Sequence, residues 1–312
     1  MLPESRYTRS GATLAGKPLT GLVDARRALR LFDEGATVVL QGLHRYWAPL
    51  RELVADLALE LGHPCQANAY LTPPGSRGFA VHSDSHDVFV FQTHGHKRWE
   101  VHTEDRVDDV LLEPGLSMYL PTGTPHAARA QDSVSLHVTL GINQLTWRGL
   151  VEQTLRSMLG DVPDTHLPAG YLEDPTQLAE GLRARLDALA DALADVDTGA
   201  VAHERAESFL TGRIARLRGG LRDVVAVRDL TDQTRLARRA GSPCVLVDRE
   251  GGLRVLLGDR FLDVPARLRP ALEQVRSAQE LTPGDLAEHL DPESRLVLCR
   301  RLVREGLLGV VR

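Results

Sequence analysis

Between about Thr37 and Ile142 apolar and polar residues alternate in short runs, broken by clusters of Pro, Gly and Asp. A period of two places one face of an extended segment in a core, and turn residues about every 8 to 12 positions mark a β-sandwich or barrel. The predicted strands are 65–72 (CQANAYLT), 77–83 (RGFAVHS), 87–93 (DVFVFQT), 97–102 (KRWEVH), 107–112 (VDDVLL), 116–120 (LSMYL), 125–130 (PHAARA) and 133–140 (SVSLHVTL). Eight such strands suffice for a jelly roll. Ahead of them, DARRALRLFDEG and HRYWAPLRELVADLALELG carry helical spacing, with Leu50, Leu53, Leu57 and Leu61 assigned to one face. Both predict helices packed outside the barrel.

After Trp147 the period changes to that of helices. WRGLVEQTLRSMLG comes first, followed by a segment opened by Asp174 and Pro175 as cap and first-turn residue. That segment aligns Leu178, Leu182, Leu186, Leu189 and Leu193 on one face, a stripe equally suited to an intramolecular core and to a dimer seam. A further helix is expected over 200–212. From about 222 the pattern reads as a hairpin, CVLVDREGGLRVLLGD, with helices at 265–279, 282–290 and 292–305. Helices with a two-stranded wing suggest a winged-helix domain. The expected organisation is α+β: a barrel domain over 1–145 with its N-terminal helices, a helical region over 146–218, and a winged-helix-like domain over 219–312.

A chain of 312 residues that is 43% hydrophobic can bury a sizeable core in two or three domains. The formal charge of −5 lacks the basic surplus of non-specific nucleic-acid binders. Over 222–312 there are 16 Arg against 14 Asp and Glu, too balanced for a DNA-binding face, so direct nucleic-acid binding is not expected. Cys65, Cys244 and Cys299 are odd in number and widely spaced, which argues against a disulfide framework or a cysteine zinc site. With no signal-like N-terminus and no apolar run of membrane length, the expected location is the cytoplasm.

The sharpest chemical feature is His82-Ser83-Asp84. On an extended strand residues two apart share a face, so an imidazole and a carboxylate would project together into the barrel. His126, in PTGTPHAARA, follows a turn that can return a third ligand to the same mouth. Two imidazoles and a carboxylate on one face match the facial triad of non-haem Fe(II), which leaves coordination positions open for a co-substrate and O2. Lys97 begins the strand KRWEVH and shares a face with Trp99 and Val101; it is one of two lysines, with Lys17, in a chain that otherwise uses arginine. A buried cation there would pair with the far carboxylate of 2-oxoglutarate, whereas a surface position would leave it solvated. Asn68 and Tyr70 alternate onto one face of CQANAYLT, as do Ser135, His137 and Thr139 of SVSLHVTL. Polar groups inside a barrel need partners, which a dicarboxylate or their own neighbours would supply.

These residues resemble the JmjC-type cupin (cupin-4) oxygenases of the ribosomal oxygenase group. The resemblance runs through NAYLTPPGSRGFAVHSDSHDVFVFQTHGHKRWEVH, LEPGLSMYLPTGTPHAARA and SLHVTLGINQLTW. It implies a double-stranded β-helix with His82, Asp84 and His126 as Fe(II) ligands and catalytic centre, and with Lys97 on the far carboxylate of 2-oxoglutarate. Asn68, Tyr70 and Thr139 match positions lining the co-substrate pocket, with His137 close by. The family also carries a helical dimerisation region and a winged-helix domain, which implies a homodimer. The implied activity is hydroxylation of a protein side chain, Arg or His of a ribosomal protein, at the expense of O2 and 2-oxoglutarate. A different peptide or a free amino acid is an alternative substrate, and a metal-binding scaffold or winged-helix regulator without turnover is an alternative of another class. His86, His94 and His96 depart from the family pattern, which does not require them.

Overall fold

The computed structural model describes residues 6–9, 13–14, 17–18, 21–76, 78, 80–160, 162–214, 217 and 219–311. The chain divides into two compact units, Met1–Trp147 and Arg148–Arg312. In the first, helix α1 (Ala25–Asp33) and helix α2 (Ala48–Leu61) flank strand β1 (Val38–Leu40). The barrel strands follow as β2 (Cys65–Thr72), β3 (Asp87–His94), β4 (Lys97–His102), β5 (Val107–Leu112), β6 (Ser117–Leu120), β7 (His126–Ala130) and β8 (Ser135–Ile142). They form two antiparallel sheets, one in the order β6-β3-β8-β2-β1 and one in the order β7-β4-β5. Val88, Val90 and Leu120 of the larger sheet pack with Trp99 and Leu112 of the smaller, so the shared core lies between the sheets.

The alternation that predicted the strands is realised in register. Across the larger sheet Ser135 faces Thr72, His137 faces Tyr70, Thr139 faces Asn68 and Gly141 faces Gln66. These rungs form a polar ladder on the inner face, while Ala67, Leu140, Phe89 and Val138 pack outward against Leu50 and Val54 of α2. The predicted face of that helix is corrected here. Leu50, Val54 and Ala58 are buried, whereas Leu53 and Leu61 are exposed, because the contact face follows the four-residue ridge 50-54-58 rather than the leucines.

The predicted strand 77–83 is also corrected. Arg77 and Phe79 lie outside the described residues; among the others the segment pairs with β7 only through an isolated bridge between His82 and His126. Backbone bonds from Gly78 N to Ala128 O (2.9 Å) and from Ala130 N to Ser76 O (3.1 Å) hold it alongside β7 without regular strand geometry.

The second unit opens with helices α3 (Trp147–Leu159), α4 (Thr176–Ala194) and α5 (Thr198–Thr211). Pro175 caps α4, and Asp174 stands one position further out, accepting from Thr176 N and Oγ1. None of these three helices buries a residue, and Leu182, Leu186 and Leu193 are exposed. After helix α6 (Gly220–Ala226), a sheet of β9 (Leu236–Arg238), β13 (Glu280–Leu281) and β14 (Leu308–Val310) is accompanied by a second of β10 (Val245–Arg249), β11 (Gly252–Leu256) and β12 (Phe261–Val264). The expected two-stranded hairpin therefore has a third strand. Helices α7 (Arg269–Ser277) and α8 (Pro292–Arg304) pack on this core through Leu272, Val275, Leu298 and Leu302. The predicted helix 282–290 is instead a short 3-10 turn, Pro283–Leu286, with a capping box between Thr282 and Asp285.

Candidate active site

His82, Asp84 and His126 converge at one end of the barrel. Their potential ligand atoms all lie within 4.8 Å of one another, and His126 Nε2 stands 3.8 Å from Asp84 Oδ2. The backbone brings them together, since His82 N donates to His126 O at 3.0 Å and His126 N to His82 O at 2.8 Å. Asp84 O accepts from Gly123 N at 2.9 Å, which ties the carboxylate's segment to the turn ahead of His126.

Each imidazole is oriented by its own backbone. His82 Nδ1 lies 2.9 Å from Ala80 O, and His126 Nδ1 lies 2.9 Å from Thr124 O. A carbonyl only accepts, so in both rings Nδ1 is the donor of this bond and Nε2 is the other ring nitrogen, on the far side from the carbonyl. Burial pushes the His126 imidazole below its ordinary pKa, which keeps it neutral. Two imidazoles and one carboxylate this close together fit a divalent transition metal, with three protein ligands leaving further positions open.

Behind the triad runs a pocket of about 560 Å³, measured with its open mouth, whose wall includes Tyr70, Lys97, Trp99, His137 and Thr139. Lys97 is only 3% exposed. Its Nζ donates to Thr72 Oγ1 at 3.0 Å and to His137 Nδ1 at 3.5 Å. No carboxylate pairs with it among the described residues, and burial pushes its pKa down to about 8. His137, pushed down to about 2 by burial and then by the Lys97 charge, is a neutral acceptor. It lies flat against Tyr70, with ring centroids 4.8 Å apart and planes 2° from parallel, and meets Trp99 edge-on.

The structure thus gathers the predicted triad and Lys97, Tyr70, Thr139 and His137 around one pocket. Asn68 is buried beside it, where its Oδ1 accepts from Gly42 N at 2.8 Å, and Tyr70 hydrogen-bonds both Asn68 and Thr139. Ser135 is satisfied internally by Gln92 Nε2 at 2.9 Å. Two residues beside the pocket escaped the sequence reading. Thr72 continues the inward alternation of Asn68 and Tyr70, so a signal for it existed; Thr37, 3.1 Å from Thr72 Oγ1, had none. The extra histidines separate: His94 and His96 are exposed around the β3–β4 turn, at the opposite end of β3 from Asp87, whereas the His86 ring lies against Gly141 of β8.

Residues 48–107 and 102–150 match the family model of the JmjC domain. The barrel is therefore similar to a JmjC domain. Over 130 residues the chain is 39% identical to a bifunctional lysine-specific demethylase and histidyl-hydroxylase NO66 of Branchiostoma floridae, a match covering 41% of this chain and 21% of that protein. It is 33% identical over 177 residues to ribosomal oxygenase 1 of Homo sapiens, covering 49% of this chain and 27% of that protein. The chain therefore spans about a quarter of the length of the curated relatives it matches. Among solved structures, the Escherichia coli ribosomal oxygenase YcfD aligns over 88% of this chain and 78% of its own at 20% identity, with a TM-score of 0.49. The JmjC matches end at residue 150, close to the boundary between the two compact units.

Proposed function

We propose that the chain is an Fe(II)- and 2-oxoglutarate-dependent oxygenase that hydroxylates a protein side chain, His or Arg of a ribosomal protein. The observation that carries this reading is Lys97, a buried cation that no carboxylate among the described residues pairs with, in the same pocket as the His82-Asp84-His126 triad. Leaving a charge buried and unpaired is costly, and a dicarboxylate co-substrate would supply the missing anion. Its other end would then face the triad.

His82, Asp84 and His126 would hold the iron. Once bound, Fe(II) supplies the activation of O2 that couples conversion of 2-oxoglutarate to succinate and CO2 with transfer of one oxygen atom into a C–H bond of the substrate. The protein's part is placement. Lys97 fixes the far carboxylate, His137 and Thr72 hold the ammonium in position, and Tyr70 and Thr139 line the path between that anchor and the metal. The curated relatives carry the names histidyl-hydroxylase and ribosomal oxygenase, which supports a ribosomal-protein substrate. The acidic net charge of −5 suits a basic partner.

The same reading assigns 146–218 to a dimerisation region and 219–312 to a winged-helix-like module, in a cytoplasmic homodimer. The exposed leucines of α4 support an intermolecular seam, since an amphipathic helix with no buried residue lacks the packing that normally stabilises it. No helix among the described residues is long and apolar enough to cross a membrane.

Two measurements test the proposal. Anaerobic addition of Fe(II) and 2-oxoglutarate is expected to give a visible charge-transfer band, absent from His82→Ala and His126→Ala, which also form no succinate under air. Intact masses of ribosomal proteins from a strain lacking the gene are expected to show one protein lighter by a single oxygen than in its parent. Bound metal without the band refutes the oxygenase; unchanged masses refute the ribosomal substrate.

A further inference from the structure

We propose that His86 reads the substrate at the mouth of the pocket, together with Gln66, and that the pair selects a side chain bearing polar N–H groups over an aliphatic one. The inference deepens the oxygenase reading and rests on it. It starts from a glycine that the backbone does not require. Gly141 lies within the regular strand β8 and is not among the described glycines with positive φ. A Cβ built there would fall 2.8 Å from both Cδ2 and Nε2 of His86 and 3.2 Å from Cγ of Gln66. The first distance is a collision, so the imidazole occupies the space that a side chain at 141 would otherwise fill.

Register fixes where that space is. Along β8 the inward residues are Ser135, His137, Thr139 and Gly141, opposite Thr72, Tyr70, Asn68 and Gln66 of β2. Thr72 holds Lys97 at the inner end, and the wall residues Tyr70, His137 and Thr139 occupy the middle. The Gly141–Gln66 rung is one step further along the ladder from Lys97, beyond Thr139 and Asn68. His86 reaches it from two residues beyond Asp84, so its backbone is anchored beside the metal ligands while its ring lies across the next rung.

His86 is half-buried and so is Gln66, which leaves an imidazole nitrogen and a carboxamide available to an incoming side chain. A side chain with N–H donors, an imidazole or a guanidinium, can satisfy both; an aliphatic one would desolvate them without compensation.

The test uses the full chain loaded with Fe(II) and 2-oxoglutarate, acting on ribosomal proteins extracted from a strain lacking the gene, with oxygen incorporation followed by intact mass. His86→Ala is expected to raise KM for the oxidised protein about tenfold, the loss of one good hydrogen bond, while kcat falls less than twofold. His86→Asn is expected to recover part of that loss by restoring a donor and an acceptor. Gly141→Ala, which displaces the ring without removing it, is expected to raise KM as well. A His86→Ala enzyme with KM within twofold of the parent, or one that loses kcat with KM unchanged, overturns the assignment while leaving the oxygenase reading intact. If the unaltered enzyme forms succinate but oxidises no ribosomal protein, the ribosomal substrate falls and this inference falls with it.

Discussion

Replacing Lys97 by Met separates what the lysine does for the fold from what it does for the co-substrate. Its pKa falls from an ordinary 10.5 to about 8 through burial. At about 1.4 kcal/mol for each tenfold change in proton affinity, the buried charge costs the empty protein about 3 kcal/mol at neutral pH. Methionine fills similar volume without the charge, but it leaves the His137 Nδ1 acceptor unpaired, at about 1 kcal/mol. Thr72 keeps its bond to Thr37. The net expectation is a gain of about 2 kcal/mol, or a Tm rise of about 4 to 8 °C. The gain depends on pH in a defined direction. A base depressed in the folded state carries its full penalty below pH 8, and the penalty fades as pH rises from about 8 towards 10.5, so parent and variant should converge there. Thermal melts at pH 7 and pH 9.5, with and without Co(II) and 2-oxoglutarate, measure both effects. Ligand is expected to raise the parent's Tm far more than the variant's. A Lys97→Met protein less stable than its parent at pH 7, or one stabilised equally by 2-oxoglutarate, would refute the reasoning.

Two further predictions concern the elements that carry the ligands. Gly78→Ala places a Cβ 2.7 Å from Ala128 O, so the segment leading to His82 must move off β7; we expect Co(II) affinity to fall by about tenfold or more while the far-ultraviolet circular dichroism is kept. Asp87 is pushed up by burial, yet hydrogen bonds from the Tyr119 hydroxyl and the Thr122 amide and hydroxyl prevail and hold it down to about 2. Its contribution to stability is present above about pH 3.8 and disappears as pH falls towards 2, so Asp87→Asn should lose stability at neutral pH and show a shallower acid transition. Hydrogen exchange at the Thr122 amide should be faster in that variant, and unchanged exchange would show that Asp87 does not hold the turn before His126.

Much of the barrel was legible because strict alternation bounded by turn residues leaves little choice of strand or face. The runs 65–72, 97–102 and 107–112 form strands with those same limits, and Lys97 stood out by its rarity and its phase beside Trp99. The run 77–83 misled because its apolar residues alternate too, although Val81 is exposed and only His82 forms a bridge. In the second unit Thr282 and Pro283 announced a helix start correctly, but a start signal does not make a helix propagate; Gly284 and the missing apolar stripe end it after one turn. The pairing of His86 with Gly141 was invisible for a different reason. It joins residues 55 apart in sequence through one ring and one absent side chain, and neither has a periodic signature.

The bonds from the two imidazoles to carbonyls two residues back also bear on how a metal enters. Because those bonds are local, the rotational freedom of both rings is surrendered when the barrel folds rather than when an ion arrives. Metal uptake should then be a filling event with little accompanying rearrangement, its rate set by water exchange and access through the mouth, and ions of similar size should exchange without disturbing the fold.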